Sequence, residues 1–106
     1  ATNGYDHCYV VAGKAGTLRP AARVTSPESG RFMELETTQP GMQLYLGNHL
    51  SGNEASAGVG QHEAFCLETQ HYPDAPNHPD FPSTLLRPGQ AMRETTVHRF
   101  GVEGKG

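Results

Sequence analysis

The sequence predicts an all-β protein, an antiparallel β-sandwich or part of one. Three observations carry this. Period-2 alternation of apolar and polar residues recurs along the chain. Helix-period patterning is nearly absent. Turn chemistry separates the alternating runs, drawn from the 13 Gly and 8 Pro among 106 residues. The length allows one domain at most, with a modest core.

The elements follow in order. Asn3-Gly4 is a turn signal, and His7 to Ala12 (HCYVVA) is a strand rich in β-formers. Ala21 to Ser26 and Arg31 to Thr38 are extended runs joined by Ser26-Pro27-Glu28-Ser29-Gly30. Proline presets φ in that link and glycine permits φ > 0, so the two runs read as a β-hairpin. Pro40-Gly41 is a second turn. Met42, Leu44 and Leu46 then alternate with Gln43, Tyr45 and Gly47 as a half-buried strand. The Gly-rich stretch from Gly47 to Gly60 is a surface loop. Ala64 to Gln70 is a fifth strand, and Ala91 to Phe100 a sixth. Leu85-Leu86 is expected to anchor the intervening segment to the core. Residues 101–106 are expected to be a frayed tail.

The fifth strand carries an anomaly. Alternation puts Phe65 and Leu67 on one face and Cys66, Glu68 and Gln70 on the other. A strand-interior glutamate among Phe65, Cys66 and Leu67 is either paired or functional. Pro73, Pro76, Pro79 and Pro82 follow at every third position. Each fixes its own φ and biases its predecessor to extended conformations, giving a stiff connector behind the carboxylate.

Composition excludes several function classes. The net charge is −3 and there is no basic run, which argues against a nucleic-acid partner. No stretch approaches the ~20 apolar residues of a membrane span. Cys8 and Cys66 lie in strand-like runs and are expected to be buried thiols. Two cysteines make no disulfide framework, and a single bridge between them stays open. Six histidines are present, but none has zincin spacing and no CxxC occurs, so no metal site is assigned. His71, Asp74, His78 and Asp80 are best read as solvated loop residues. The PxxP spacing of the proline run suits a polyproline ligand, yet the run lacks flanking basic residues and lies between strands. It reads as a structural loop.

Asp6 starts a strand beside Tyr5 and His7. Gln39 is held extended before Pro40. With Glu68 and Gln70, these residues supply the carboxylates and amides that hold a sugar. Tyr5, Tyr45, Phe65 or Tyr72 could offer a sugar-facing ring.

At these residues the chain resembles the aldose 1-epimerase family. The resemblance lies in NGYDHCYVV (Asn3 to Val11) and ARVTSPESGRFMELETTQPGMQLYLGNHLSG (Ala22 to Gly52). It continues in FCLETQHYPDAPNHPDFPSTLLRPG (Phe65 to Gly89) and the later TTVHRF. It covers nearly the whole chain, in order, and implies that residues 1–106 are the C-terminal segment of an aldose 1-epimerase-like domain. The implied fold is part of a galactose mutarotase-like supersandwich. The implied activity is interconversion of α and β anomers of aldohexoses such as galactose and glucose, in the cytoplasm and without a cofactor. By position, Glu68 of FCLETQ corresponds to the family's general base. Asp6 of GYDH and Gln39 of TTQPG correspond to its sugar-binding residues. Cys8 replaces the usual Asn after GYDH. Gln90-Ala91-Met92 stands where the family has a Glu and an aromatic residue. The family's general-acid His belongs to an upstream motif that none of the six histidines here occupies.

Mutarotation needs a base for the anomeric hydroxyl proton and an acid for the ring oxygen. Partial burial of Glu68 among apolar neighbours would suit the base role. The competing expectation is a carbohydrate-binding β-sandwich module without catalysis. A proline-rich interaction protein ranks last. A lone 106-residue chain is expected to self-associate through strand edges, to pair with the N-terminal segment of its protein, or to shield those edges with its loop and proline segments.

Overall fold

The structure is a computed structural model that describes residues 3–104. Six strands form: β1 (Asp6–Val10), β2 (Arg19–Thr25), β3 (Arg31–Thr37), β4 (Gly41–Tyr45), β5 (Cys66–Gln70) and β6 (Thr96–Val102). They build two antiparallel three-stranded sheets, ordered β1-β4-β5 and β2-β3-β6. The rest is loop with two single 3-10 turns, Glu54–Ser56 and Ala75–Asn77. The all-β expectation and its antiparallel pairing hold. No described helix is long and apolar enough to cross a membrane.

β2 and β3 form the expected hairpin. Gly30 takes φ 74° in its turn, and the Gly30 amide donates to the Ser26 carbonyl at 2.8 Å. A register shift between Pro20 and Ala22 relieves the proline that interrupts β2.

The core is small and joins the two sheets. Val11, Leu35 of β3 and Met42 of β4 are buried together, with Ala21, Ala22, Met33 and Leu67 packed against them. Leu35 is 1% exposed. Burying one such side chain is worth roughly 1.5–3 kcal/mol. Beside it the sheets share a chain of hydroxyls. Thr69 of β5 contacts Thr96 of β6 at 2.9 Å, and Thr96 contacts Thr37 of β3 at 3.0 Å. Thr37 is fully buried and its Oγ1 also accepts from the Gln39 amide at 3.0 Å. A hydroxyl so placed must be bonded, and this one is.

Arg19 closes one end. Its guanidinium donates to the carbonyls of Val11, Ala12, Thr17, Thr37 and Gln39 over 2.8–3.4 Å. The outer face of the β2-β3-β6 sheet carries ion pairs instead. Arg23 meets Glu103 at 2.7 Å and Glu34 at 3.6 Å, and Arg99 meets Glu36 at 2.8 Å. The hydrogen bonds that Arg23 and Arg99 donate to Glu103 and Glu36, respectively, raise the pKa of each guanidinium above its usual value.

Four expectations are corrected. Gly101 and Val102 are not a frayed tail: both pair within β6, opposite Phe32 and Arg31. The Phe32 ring lies over Gly101, where a Cβ would stand 2.5 Å from the Phe32 Cζ. Glycine is needed there by its cross-strand neighbour, not by a chain end. (Residues 105 and 106 lie outside the described residues.) The sixth strand starts at Thr96 rather than Ala91, because Thr38 captures Thr95 on both sides: the Thr38 amide donates to the Thr95 carbonyl, and the Thr95 amide donates to the Thr38 hydroxyl. Leu85 and Leu86 are 64% and 55% exposed, so they do not anchor to the core. Cys66 is exposed and Cys8 half-buried, both free thiols, because each sits on the open face of its sheet.

Candidate functional site

The site is built on the outward face of the β1-β4-β5 sheet. Register fixes which side chains share it. Asp6, Tyr45 and Cys66 form one cross-strand row; Cys8, Gln43 and Glu68 the next; Val10, Gly41 and Gln70 the third. The opposite parity, including Met42, Leu44 and Leu67, faces the core. A one-residue slip would exchange the two sets, so burial of Met42 and Leu67 is what turns Glu68 outward.

Asp6, Gln43, Glu68, Gln70, His71 and Pro73 line an open cleft of about 540 Å³. That lies within the range of roughly 300–1,000 Å³ typical of small-molecule sites. Two of the three sequence-assigned residues, Asp6 and Glu68, are therefore brought together. The third, Gln39, lies just behind. Its Oε1 is 2.8 Å from the Nδ1 of His71, and His71 lines the cleft. An amide oxygen only accepts, so in this contact the ring nitrogen donates. Gln39 itself is fixed through its backbone, which donates to Thr37 Oγ1 and accepts from Arg19 at 2.9 Å.

Gln43 occupies the centre. Its Nε2 donates to Asp6 Oδ1 at 2.8 Å. Across the third row Gln70 reaches past β4 to place its Nε2 3.5 Å from Cys8 Sγ. Gly41 leaves room for this: a Cβ there would lie 3.0 Å from both Cys8 Sγ and the Tyr72 ring. Pro73, first of the four prolines, forms one wall. The stiff segment thus begins at the cleft.

Glu68 is exposed rather than partly buried. Alternation sends the apolar neighbours Phe65 and Leu67 to the other side of the sheet, so they do not cover it. Glu68 makes no ion pair or side-chain hydrogen bond among the described residues. The four aromatic candidates, Tyr5, Tyr45, Phe65 and Tyr72, do not line the cleft. Tyr72 stacks edge-on with Phe81, Tyr5 with His7, and the Tyr45 hydroxyl accepts from the His49 amide.

Gln43 and His71 were not assigned from sequence. His71 follows β5 directly, one residue beyond the alternation that carries Glu68 and Gln70. Gln43 is legible as the outward residue of Met42-Gln43-Leu44. Among the described residues no group of three or more His, Cys, Asp and Glu is placed to hold a metal ion. His78 meets Asp74 at 3.2 Å in the proline segment, away from the cleft. A second cleft of about 550 Å³ lies along that segment, lined by Ala75, Pro79, Phe81, Leu85 and their neighbours. Its lining is mainly proline and apolar, with His78, Ser83 and Thr84 as the polar side chains.

A carboxylate open to the cleft, a second carboxylate held by an amide, and further amide and imidazole groups suit the binding of a polyhydroxylated ligand and the movement of its protons. The chain is 47% identical over 103 residues to a galactose mutarotase of Bos taurus and 46% identical to one of Homo sapiens. It is 33% identical over 104 residues to an aldose 1-epimerase of Escherichia coli. Each alignment covers 94% of this chain and 30% of the relative. The chain thus spans about a third of the length of the curated relatives it matches. The family model described as aldose 1-epimerase matches residues 1–99, and the chain belongs to that family.

Proposed function

We propose that this chain supplies the base and the sugar-holding residues of an aldose 1-epimerase acting on aldohexoses such as galactose and glucose. Glu68 takes the proton of the anomeric hydroxyl. Protonation of the ring oxygen then lets the C–O bond open, the aldehyde end rotates, and the ring closes on the other face. Asp6 and Gln39 hold the ring hydroxyls in register during that rotation. The acid is supplied by the family's histidine upstream of the residues described. A cytoplasmic setting belongs to the same proposal.

The observation that carries it is the convergence of Asp6 and Glu68 on one cleft, in a chain of this family. The test is polarimetry of freshly dissolved α-D-galactose with the full-length protein and its Glu68→Gln variant. Loss of the base lowers turnover on the order of 10²–10⁴-fold. Equal rates for the two proteins sink the assignment of Glu68.

The exposure of Glu68 favours one alternative, a carbohydrate-binding module without catalysis. It predicts that the full-length protein binds galactose yet mutarotates it no faster than buffer.

A further inference from the structure

We infer that His71 is a further sugar-contacting residue, whose ring meets a hydroxyl of the bound aldose, and that Gln39 holds the sugar through this ring rather than by touching it. The inference deepens the proposed function and rests on it for the identity of the ligand. Three observations carry it.

The first is which of the two residues reaches the cleft. His71 lines it with Asp6 and Glu68, whereas Gln39 does not. Both lie just beyond the same end of the β4–β5 ladder, where Gly41 pairs with Gln70, the last residue of β5. Continued alternation would turn the residue after Gln70 away from Glu68 and toward the core. The strand ends there instead, and His71 joins the cleft. The second is how the ring is held. Its Nδ1 lies 2.8 Å from Gln39 Oε1, and the ring is half-buried. Gln39 is a firm support. The following Pro40 restricts its backbone, its amide donates to the hydroxyl of the fully buried Thr37 at 3.0 Å, and its carbonyl accepts from Arg19 at 2.9 Å. The third is what remains free. With Nδ1 engaged, the His71 Nε2 has no hydrogen-bond partner among the described residues.

A histidine that merely filled space would need no orienter. Fixing one ring nitrogen sets the direction of the other, and the bond at Nδ1 governs what Nε2 can do. A hydroxyl suits that second nitrogen in either protonation state, since it donates to an imidazole nitrogen and accepts from an imidazolium. His71 also lines a separate small groove of about 170 Å³, with Ser83, Leu85, Met92 and Glu94. That groove gives an unheld ring room to turn. Loss of Gln39 would thus disorder a contact that Gln39 does not itself make.

The test uses the full-length protein with two substitutions of the ring. His71→Phe keeps an aromatic ring and removes both nitrogens. His71→Asn puts an amide nitrogen in the place of Nδ1 toward Gln39 and has no counterpart of Nε2. His71→Leu serves where the phenylalanine variant does not fold. Affinity for D-galactose is measured by titration calorimetry, beside KM and kcat from polarimetry. Both variants are expected to raise Kd and KM about tenfold, the scale of one lost polar contact, with kcat changed less. A His71→Asn variant that binds as wild type does would show that the residue only props Gln39, and overturns the inference. A fall in active fraction with Kd and KM unchanged marks a residue needed only for folding, and overturns it too. Gln39→Leu separates the two residues: it should raise Kd by itself and add nothing to His71→Phe. No effect by itself, or losses that multiply in the double variant, would overturn its action through the ring. Calorimetry keeps the result separate from the fate of the catalytic proposal. A protein that binds galactose without turning it over loses Glu68 as base and still tests His71 through Kd. A wild-type protein that binds no galactose overturns the sugar reading and this inference with it.

Discussion

The two sheets use charge in opposite ways. On the outer face of β2-β3-β6, Arg23, Glu34, Glu36, Arg99 and Glu103 pair among themselves. On the outer face of β1-β4-β5, Glu68 has no such partner among the described residues, and Gln43 is satisfied at one end only. The pairing is antiparallel in both, with three strands in each. The difference lies in what the outward side chains leave undone. Paired surface charge is a solution to solvation and is worth little to stability. Polar groups left unpaired beside a cleft are a capacity for binding something else.

Substitutions can break that contrast, and Glu68→Gln should do most. Turnover falls on the order of 10²–10⁴-fold while the thermal midpoint stays within error of wild type, since the exposed carboxylate supports no contact. A large fall in the midpoint would mean that the glutamate is structural. Leu35→Ala tests the ground the sheets share. Removing a side chain that is 1% exposed should cost about 2–5 kcal/mol in urea unfolding of the full-length protein. A loss below about 1 kcal/mol would show that the two sheets do not depend on this core.

Gly41→Ala is subtler. The new methyl would press on Cys8 and Tyr72, neighbours of the cleft, and should cost about 1–3 kcal/mol of stability with a weakened sugar affinity. Stability lost with affinity intact would detach that packing from the site. Arg99→Ala comes last. It removes an exposed pair on the other sheet and should change neither KM nor, within error, the thermal midpoint. A changed KM would dissolve the division of labour between the sheets.

The alternation of Met42, Leu44 and Leu67 against Gln43 and Glu68 made the strands and the outward turn of Glu68 legible in the sequence. Partnership was not legible. β1 pairs with β4 and β3 with β6, contacts separated by tens of residues that no local pattern encodes. The end of β6 is hidden for a related reason: Gly101 looks like a breaker in the sequence, whereas the residue that requires it, Phe32, is far away in the chain. The same holds within the site. Asp6, Gln39 and Glu68 stand out through their motifs, whereas the roles of Gln43 and His71 depend on whom they touch. The exposure of Glu68 is not legible locally, because residues adjacent in sequence along a strand face opposite sides of the sheet.

Arg19 gives the site its mechanical coherence. Asp6 and Glu68 ride on the β1-β4-β5 sheet, but Gln39 belongs to the short bridge by which the chain passes from one sheet to the other. Any shear of one layer over its neighbour would carry Gln39 along and alter its spacing from the two carboxylates. A single guanidinium grips the carbonyls of Val11 and Ala12 after β1, of Thr37 at the end of β3, and of Gln39 itself. Its planar fork lets one side chain serve several fixed carbonyls, which a lysine could not do in the same geometry. Arg19 therefore acts as a pin, tying the chain after β1, the end of β3 and the Gln39 carbonyl together at one point between the layers.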